Sequence, residues 1–367
     1  MEYVQERVTT LHDFTDPVPE APVDDAAVVV PMTEREHASL AAERVLTALE
    51  DVAPGRVVVA LRAEAERVPA VRDWLDSFDL AVETLWCDGP RLGELLADEG
   101  LDGRRGKGRD VWLALGRAAE SEYVAVHDAD ASTYSRAHVP RLLSPLAHGF
   151  GFSKGYYARV ENRRLYGRLF RLFYAPLVRA LADTHDAAVL DYLGAFRYAL
   201  AGEFAATSDV IRSLHVQRGW GLEVGTLGDA FRAAGLDGSA QVDLGLHEHD
   251  HRAVSGPAGL STMADEVGAA LLRAVEDGGV EPDYGTLPAR YRGAAHRLVD
   301  AYATDAAFNG LEYDRGSERE QVASYADSIE PPGTDTRLPP WAEAPISAEA
   351  VRTAVRADLD AAEEAHG

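Results

Sequence analysis

Apolar residues recur along the first part of the chain in short continuous runs separated by segments of helical periodicity. Three such runs occupy residues 26–32, 56–61 and 81–87, and each is rich in Val, Ala or Leu. Short, continuous apolar runs indicate strands that are buried on both faces. Their regular alternation with helical patterns predicts an α/β fold, in which helices cover both faces of a mostly parallel sheet.

The same pattern predicts the remaining elements. Thr33 followed by Glu36 is a capping-box pattern, which predicts a helix from there to about Leu49. Further helices are predicted at 64–78, from Pro90, and at 111–120, 135–148, 162–184, 219–234, 259–279, 287–311 and 347–365. Further strands are predicted at 152–157 and 241–246, and a strand or turn at 197–205.

The first candidate for chemistry is residues 123–130, an apolar run that closes with Asp128 and Asp130. Side chains at i and i+2 leave an extended chain on the same side, and ligands bind open α/β sheets at the carboxyl ends of their strands. Two carboxylates there suit a hard divalent cation and, through it, a diphosphate. An exposed turn with two acids is the alternative in so acidic a chain.

A second candidate is the glycine-rich segment 102–110, which contains three glycines, three arginines and Lys107 ahead of a predicted helix. Backbone N–H groups and the helix dipole favour a phosphate at such a place, and a mobile basic loop is the alternative. The segment matches neither the P-loop nor the dinucleotide-binding pattern. Lys107 and Lys154 are the only lysines of the chain, so either a compact ammonium is required at these positions or they survive by drift.

Three further features have both a functional and a structural interpretation. Glu223 lies in an apolar stretch, where a carboxylate must be paired or functional. Arg164, Arg168 and Arg171 share one face of the predicted helix, which could bind an acidic acceptor or simply face solvent. Residues 247–251 contain three alternate histidines, which could bind a transition metal or lie half-exposed without one.

Composition narrows the class of partner. The net charge is −25, from 61 acidic against 36 basic residues, which argues against nucleic acid or an anionic membrane as the main partner. No apolar run is long enough to cross a membrane and the N-terminus does not resemble a signal peptide, so we expect a soluble cytoplasmic protein. The dispersed acidic excess and the scarcity of lysine resemble proteins from cells with molar internal salt.

The single cysteine, Cys87, is predicted to be a small buried residue of the hydrophobic core.

The order of the motifs resembles a family of GT-A-fold glycosyltransferases, that of glucosyl-3-phosphoglycerate synthase and its mannosyl relatives. The matches span about residues 26–255 and are Gly106-Lys-Gly108, Asp128-Ala-Asp130, Lys154-Gly-Tyr-Tyr157, Gly167-Arg168 ahead of Pro176, Ala201-Gly-Glu-Phe204, Gly219-Trp-Gly-Leu-Glu-Val-Gly225, and Gln241-Val-Asp-Leu-Gly245 followed by His249 and Arg252.

The resemblance implies a metal-dependent enzyme that moves a hexose, most simply glucose, from a nucleoside diphosphate sugar (UDP-glucose or a GDP-sugar) to 3-phosphoglycerate with retention of configuration. It implies Mg²⁺ or Mn²⁺ bound by Asp130 and His249 with Asp128 nearby, and catalytic roles for Lys107 and Glu223. The residues it places against the nucleotide-sugar are Pro31, Met32, Glu34, Lys107, Asp128 and Ala129. Those it places against the acceptor are Lys154, Gly167, Arg168 and Arg252.

Some positions depart from the family pattern. Phe170 stands where the acceptor motif has Thr, Tyr198-Ala199 where it has Gln-Pro, and Glu34-Arg35 where the first loop has Asn-Glu. These departures bear more on the identity of the acceptor than on that of the sugar donor. They leave open a transferase of the same fold that uses a polyprenyl phosphate or a saccharide, and, from other classes, a non-catalytic nucleotide-sugar binder or a nucleotidyltransferase.

The resemblance and the composition together predict the domain organisation and a homodimer. We expect an N-terminal arm at 1–25, a GT-A catalytic domain at 26–255 (nucleotide-sugar half about 26–150, acceptor half about 151–255), C-terminal helices at 256–311, and an acidic, Pro-containing tail with a terminal helix at 312–367. The terminal helix could cover the body or contact a second subunit.

Overall fold

A computed structural model of the chain describes residues 7–248 and 257–365, and the side chains of 257–261 lie outside that description. Its centre is an eight-stranded sheet in the order β1-β10-β6-β9-β5-β2-β3-β4. The strands are β1 Thr9–Leu11, β2 Ala26–Thr33, β3 Arg56–Arg62, β4 Val82–Trp86, β5 Tyr123–Val126, β6 Phe152–Ala158, β9 Phe204–Thr207 and β10 Ser239–Leu246, and a separate hairpin comprises β7 Val160–Glu161 and β8 Arg164–Leu165. Within the eight-stranded sheet, all pairings are parallel except those of β9 with β5 and β6, which confirms the predicted mostly parallel sheet.

Helices cover the sheet and extend beyond it. They are α1 Leu40–Val52, α2 Val68–Leu75, α3 Pro90–Asp98, α4 Lys107–Ala118, α5 His138–Ala147, α6 Ala175–Ala182, α7 Ala188–Ala195, α8 Ser208–Ser213, α9 Leu222–Ala234, α10 Pro257–Asp277, α11 Leu287–Phe308, α12 Arg315–Ala326 and α13 Ala348–Glu364. A 3₁₀ turn, Ala65–Arg67, precedes α2, and a π-helical segment, Phe170–Tyr174, precedes α6. Within the residues that the structure describes, no helix has the length and apolar character needed to span a membrane.

Two predicted helix starts are wrong for local reasons. Thr33 and Glu36 do form a capping-type contact, since the Glu36 carboxylate accepts from the Thr33 hydroxyl at 2.7 Å, but it closes a turn after β2. The helix starts later, where the Ser39 side chain accepts from the Ala42 N–H. The predicted helix at 162–184 instead begins with the β7–β8 hairpin, because the residues at 162 and 163 have φ of 48° and 58°, the left-handed conformation of a tight two-residue turn.

The C-terminal tail is packed against the nucleotide half of the sheet. Trp341 stacks on Trp112 of α4 with ring centroids 4.5 Å apart, and its indole N–H donates to the Trp112 carbonyl at 2.7 Å. Asp358 of α13 is buried and accepts from the Arg91 N–H in the first turn of α3 at 3.0 Å. The terminal helix therefore covers the body of the molecule, which is one of the two roles expected for it.

Candidate active site

Three side chains that the sequence analysis singled out separately meet at the carboxyl edge of the sheet. The Lys107 ammonium at the start of α4 lies 2.6 Å from Asp128 Oδ1, in the segment that follows β5. It lies 3.1 Å from Glu223 Oε1 in the first turn of α9. All three side chains are partly exposed, so the cluster is both held in place and accessible to a ligand.

The electrostatics keep this lysine charged. Burial favours the neutral amine, but the carboxylates of Asp128 and Glu223 outweigh it and raise the pKa of Lys107 well above its ordinary value. Because two carboxylates face this one ammonium, a diphosphate here would need a divalent cation as well as Lys107.

The glycines beside Lys107 permit a close approach between two backbones. A β-carbon on Gly108 would overlap the carbonyl oxygen of Gln217, and one on Gly106 would press against that of Arg218. The first turn of α4 therefore rests on the loop that leads into α9. The glycines bring Lys107 to Glu223, a role the anion-cradle interpretation of this segment did not include.

The three arginines of the glycine-rich segment pair with carboxylates of the chain itself. The pairs are Arg104 with Glu266 at 2.5 Å, Arg105 with Asp88 at 3.2 Å, and Arg109 with Asp110 at 2.9 Å. Lys107 is thus the cation of this segment that faces the acids of the cluster.

Asp128 and Asp130 lie beyond the strand. Because β5 ends at Val126, the argument from alternating side chains of an extended chain was wrong, although both carboxylates do lie at the predicted edge of the sheet. A β-carbon on Gly202 would overlap the Asp128 carboxylate, so glycine there leaves the space that the carboxylate occupies. No group of three or more metal-ligating side chains is found within 7–248 and 257–365, and the predicted ligand His249 lies outside these residues.

The residues predicted to contact the nucleotide lie at the same edge. Pro31 and Met32 are near the end of β2, which pairs with β5 up to the register Val29↔Val126. Ala129 is 4% exposed beside the two acids. Glu34 follows the strand, and its carboxylate accepts from the Glu64 N–H at 3.0 Å.

Lys154 lies below the cluster in the interior. Its side chain is 1% exposed, and its ammonium donates to the Ala201 carbonyl at 2.5 Å. Burial lowers the pKa of Lys154 to about 8, against the opposing fields of Glu223 and Glu203. Direct contact with an acceptor would require the ammonium to leave that carbonyl.

Glu203 and His247 form a buried polar layer near Lys154. Glu203 is fully buried, and His247 Nε2 lies 4.0 Å from its carboxylate. The His247 ring stacks on Tyr157 at 3.9 Å between centroids. The sequence analysis did not single out Glu203, although a lone acid between Gly202 and Phe204 was a usable signal.

Two of the predicted acceptor residues, Gly167 and Arg168, lie between the β7–β8 hairpin and the π-helical segment. Gly167 has φ of 73°, and a β-carbon there would press on the Tyr198 ring. Arg168 is 41% exposed at its side chain, and its Nε donates to Glu318 Oε1 at 3.3 Å. Phe170, the departure from the family Thr, packs against Tyr198 with centroids 5.1 Å apart.

The predicted arginine face does not exist as one surface. Arg164 belongs to β8 and pairs with the exposed Glu312 at 2.7 Å, whereas Arg168 and Arg171 both contact Glu318. Arg252, the fourth acceptor residue that the resemblance implies, lies outside the described residues.

Comparisons with known proteins identify the family of the chain. No protein-family model matches the chain. It is 35% identical over 378 residues to the glucosyl-3-phosphoglycerate synthase of Methanococcoides burtonii, with 94% of each chain covered. It is 35% identical over 321 residues to that of Persephonella marina, covering 82% of this chain and 79% of the relative.

A solved structure extends the likeness to the fold. The crystal structure of glucosyl-3-phosphoglycerate synthase from Mycobacterium tuberculosis in complex with Mn²⁺, UDP and phosphoglyceric acid matches with a TM-score of 0.53. The two are 26% identical, and the match covers 70% of this chain and 79% of that one. With this fold and these relatives, the chain belongs to the glucosyl-3-phosphoglycerate synthase family of GT-A-fold glycosyltransferases.

Proposed function

We propose that the chain transfers glucose from UDP-glucose to 3-phosphoglycerate with retention of configuration, releasing UDP and glucosyl-3-phosphoglycerate. The observation that carries the proposal is the meeting of Lys107, Asp128 and Glu223 at the sheet edge, in a chain whose relatives bear this activity in their names over nearly its whole length. The related mycobacterial structure contains UDP and phosphoglyceric acid.

A divalent ion, Mg²⁺ or Mn²⁺, fits the donor set. Asp128 and Asp130 offer the carboxylate oxygens that hard cations prefer, and glycine at position 202 provides the space in which the Asp128 carboxylate sits. We propose these two acids and His249 as the residues that hold the ion. When bound, such an ion neutralises the charge that develops on the departing diphosphate.

Lys107 and Glu223 are the proposed catalytic residues. In the transfer, the hydroxyl oxygen of 3-phosphoglycerate bonds to C1 of glucose while the bond from C1 to the β-phosphate oxygen breaks. UDP keeps the electron pair and takes the hydroxyl proton. The Lys107 ammonium stabilises the charge on that oxygen. Glu223, whose Oε1 lies 3.1 Å from that ammonium, orients the reacting hydroxyl of the acceptor.

Arg168 is the proposed anchor for the acceptor. A half-exposed guanidinium can bind a carboxylate or phosphate through two parallel hydrogen bonds, and Gly167 beside it has the left-handed backbone conformation that glycine favours. Arg252 would add a second positive charge from the segment after β10. Buried Lys154 would contribute its charge to this side of the site.

The test is a product analysis. The purified chain is incubated with UDP-glucose, 3-phosphoglycerate and Mg²⁺ or Mn²⁺, and products are followed by NMR together with UDP release. We expect equal amounts of UDP and an α-linked glucosyl product. UDP release that requires a polyprenyl phosphate or a saccharide instead of 3-phosphoglycerate would refute the acceptor assignment. Pyrophosphate release from UTP and glucose 1-phosphate, without UDP release from UDP-glucose, would refute glycosyl transfer.

We further propose a cytoplasmic homodimer with a salt-adapted surface, and we keep the domain boundaries given above as part of this proposal. The net charge of −25 and the presence of only two lysines support the salt adaptation. Light scattering after size exclusion tests the dimer, and activity measured from low to molar KCl tests the salt adaptation.

A further inference from the structure

Helix α12, from the acidic tail, reaches the proposed acceptor site with one carboxylate. Glu318 is 3% exposed. It accepts from both terminal nitrogens of Arg171 at 3.0 Å and from the Tyr313 hydroxyl at 3.0 Å. Its Oε1 also accepts from the Nε of Arg168 at 3.3 Å.

The helix that carries this carboxylate is firmly placed. Asp314 caps its start by accepting from the Ser317 N–H. Glu318, Val322 and Tyr325 lie on its buried face, at the four- and seven-residue spacing of one side of a helix. The Tyr325 ring packs 5.4 Å from that of Phe173 in the segment after Arg168. Glu318 is therefore fixed relative to the acceptor side of the site.

The charges at this contact are unequal. Two guanidinium groups share one carboxylate, and Arg171, 7% exposed at its side chain, uses it through two parallel hydrogen bonds. Arg168 contacts the same carboxylate through Nε, and the structure shows it no further hydrogen bond or ion pair within the described residues. A net positive charge thus remains at Arg168, whose side chain is 41% exposed.

This geometry also sets the direction of the guanidinium plane. With the Nε–H of Arg168 engaged by Glu318, the edge of the guanidinium formed by its two terminal nitrogens is left to bind an anion. A planar guanidinium binds a carboxylate or phosphate best through a pair of aligned N–H groups. An arginine without the Nε contact would have to lose more side-chain freedom on binding the same anion.

We propose that Glu318 is a positioning residue of the acceptor site, which orients Arg168 toward the anionic group of a small phosphorylated acid. The inference rests on the proposed function, because Arg168 is taken there as the acceptor anchor. It assigns the acidic tail a role in substrate specificity, beyond covering the body of the protein.

The test compares three variants of the full chain. Glu318→Gln removes the charge but keeps the shape, and Glu318→Asp keeps the charge but withdraws the carboxylate by one methylene. Glu312→Gln is the matched control, because Glu312 belongs to the same tail and also pairs with an arginine, the exposed Arg164, at 2.7 Å. Initial rates give the KM for 3-phosphoglycerate and for UDP-glucose separately, and thermal melting reports folding.

We expect Glu318→Gln to raise the KM for 3-phosphoglycerate by about tenfold, the effect of about 1.4 kcal/mol of lost binding. Glu318→Asp should raise it less, and the KM for UDP-glucose should change little in either variant. Glu312→Gln should leave both unchanged. The sign is informative, since removing a negative charge beside Arg168 would by electrostatics alone tighten the binding of an anion.

A KM for 3-phosphoglycerate that falls or stays constant in Glu318→Gln would overturn the inference. So would equal changes in both KM values in the Glu318→Gln and Glu318→Asp variants, which indicate a general structural effect. Failure of the unsubstituted chain to glucosylate 3-phosphoglycerate would reject the proposed function itself, and the inference with it. A working chain with an unresponsive Glu318 would reject the inference alone.

Discussion

Replacement of Lys154 by Met tests whether an ammonium is buried beneath the site. Lys154→Met keeps the length and removes the charge. The folded protein holds this lysine 1% exposed, and burial lowers its pKa from the ordinary 10.5 to about 8. Because the unfolded chain binds the proton more tightly than the folded one, the native lysine destabilises the fold below pH 8, and this penalty disappears as the pH rises toward 10.5.

The size of the effect follows from the two pKa values. A difference of about 2.5 between the two pKa values, at about 1.4 kcal/mol for each step of one, gives a penalty of about 3.5 kcal/mol at neutral pH. The substitution also leaves the Ala201 carbonyl without its donor, which costs about 1–2 kcal/mol. We therefore expect Lys154→Met to increase the free energy of unfolding by about 2 kcal/mol at neutral pH, although we expect it to lose activity.

The assay is urea unfolding of both proteins from about pH 7 to about pH 9.5. The advantage of the variant should shrink by about 2 kcal/mol over this range, because the native lysine progressively loses its penalty. Lys107→Met is the matched control. The carboxylates of Asp128 and Glu223 overcome burial and raise the pKa of Lys107. The stabilisation that Lys107 gives the fold is therefore fully present at every pH below its ordinary pKa of 10.5. Lys107→Met should be less stable than the native chain by an amount that does not change over this pH range. A stability difference for Lys154→Met that does not change with pH would refute the reasoning.

The other predictions concern the cluster and its support. Glu223→Gln should misplace the reacting hydroxyl and lower kcat by about a hundredfold with little change in the KM for UDP-glucose, measured by initial rates; an unchanged kcat would contradict its catalytic role. Asp130→Ala should abolish activation in a Mn²⁺ titration, whereas full activity in the presence of a chelator would reject the metal role. Gly108→Ala forces a β-carbon onto the Gln217 carbonyl and should lower the free energy of unfolding by about 2 kcal/mol together with activity. Gly93→Ala, which meets open space in α3, should stabilise by up to about 1 kcal/mol in the same urea titration; equal effects of the two substitutions would contradict the packing argument.

Helix boundaries were the least predictable part of the fold. The strands β2, β3 and β6 lie close to their predicted bounds, because continuous apolar runs have few alternatives to a buried sheet. The hairpin at 160–165 was missed since its turn depends on the backbone conformation at 162 and 163, and the arginines around it satisfy helical spacing by coincidence. Helix α12 was missed because few of its side chains are apolar and it is held by packing and by Glu318.

The sequence by itself determined the class of fold and the chemical types at the site. Apolar runs of strand length must be buried, and Asp128, Asp130 and Lys107 stand in motifs whose order resembles one family. Only the tertiary structure decided which of these groups meet. It placed Lys107 between Asp128 and Glu223, put Lys154 in the interior, and brought Glu318 from the tail to Arg168. The physical reason is that burial and periodicity are local properties of the chain, whereas a distance between charges depends on how the distant backbones that carry them pack together.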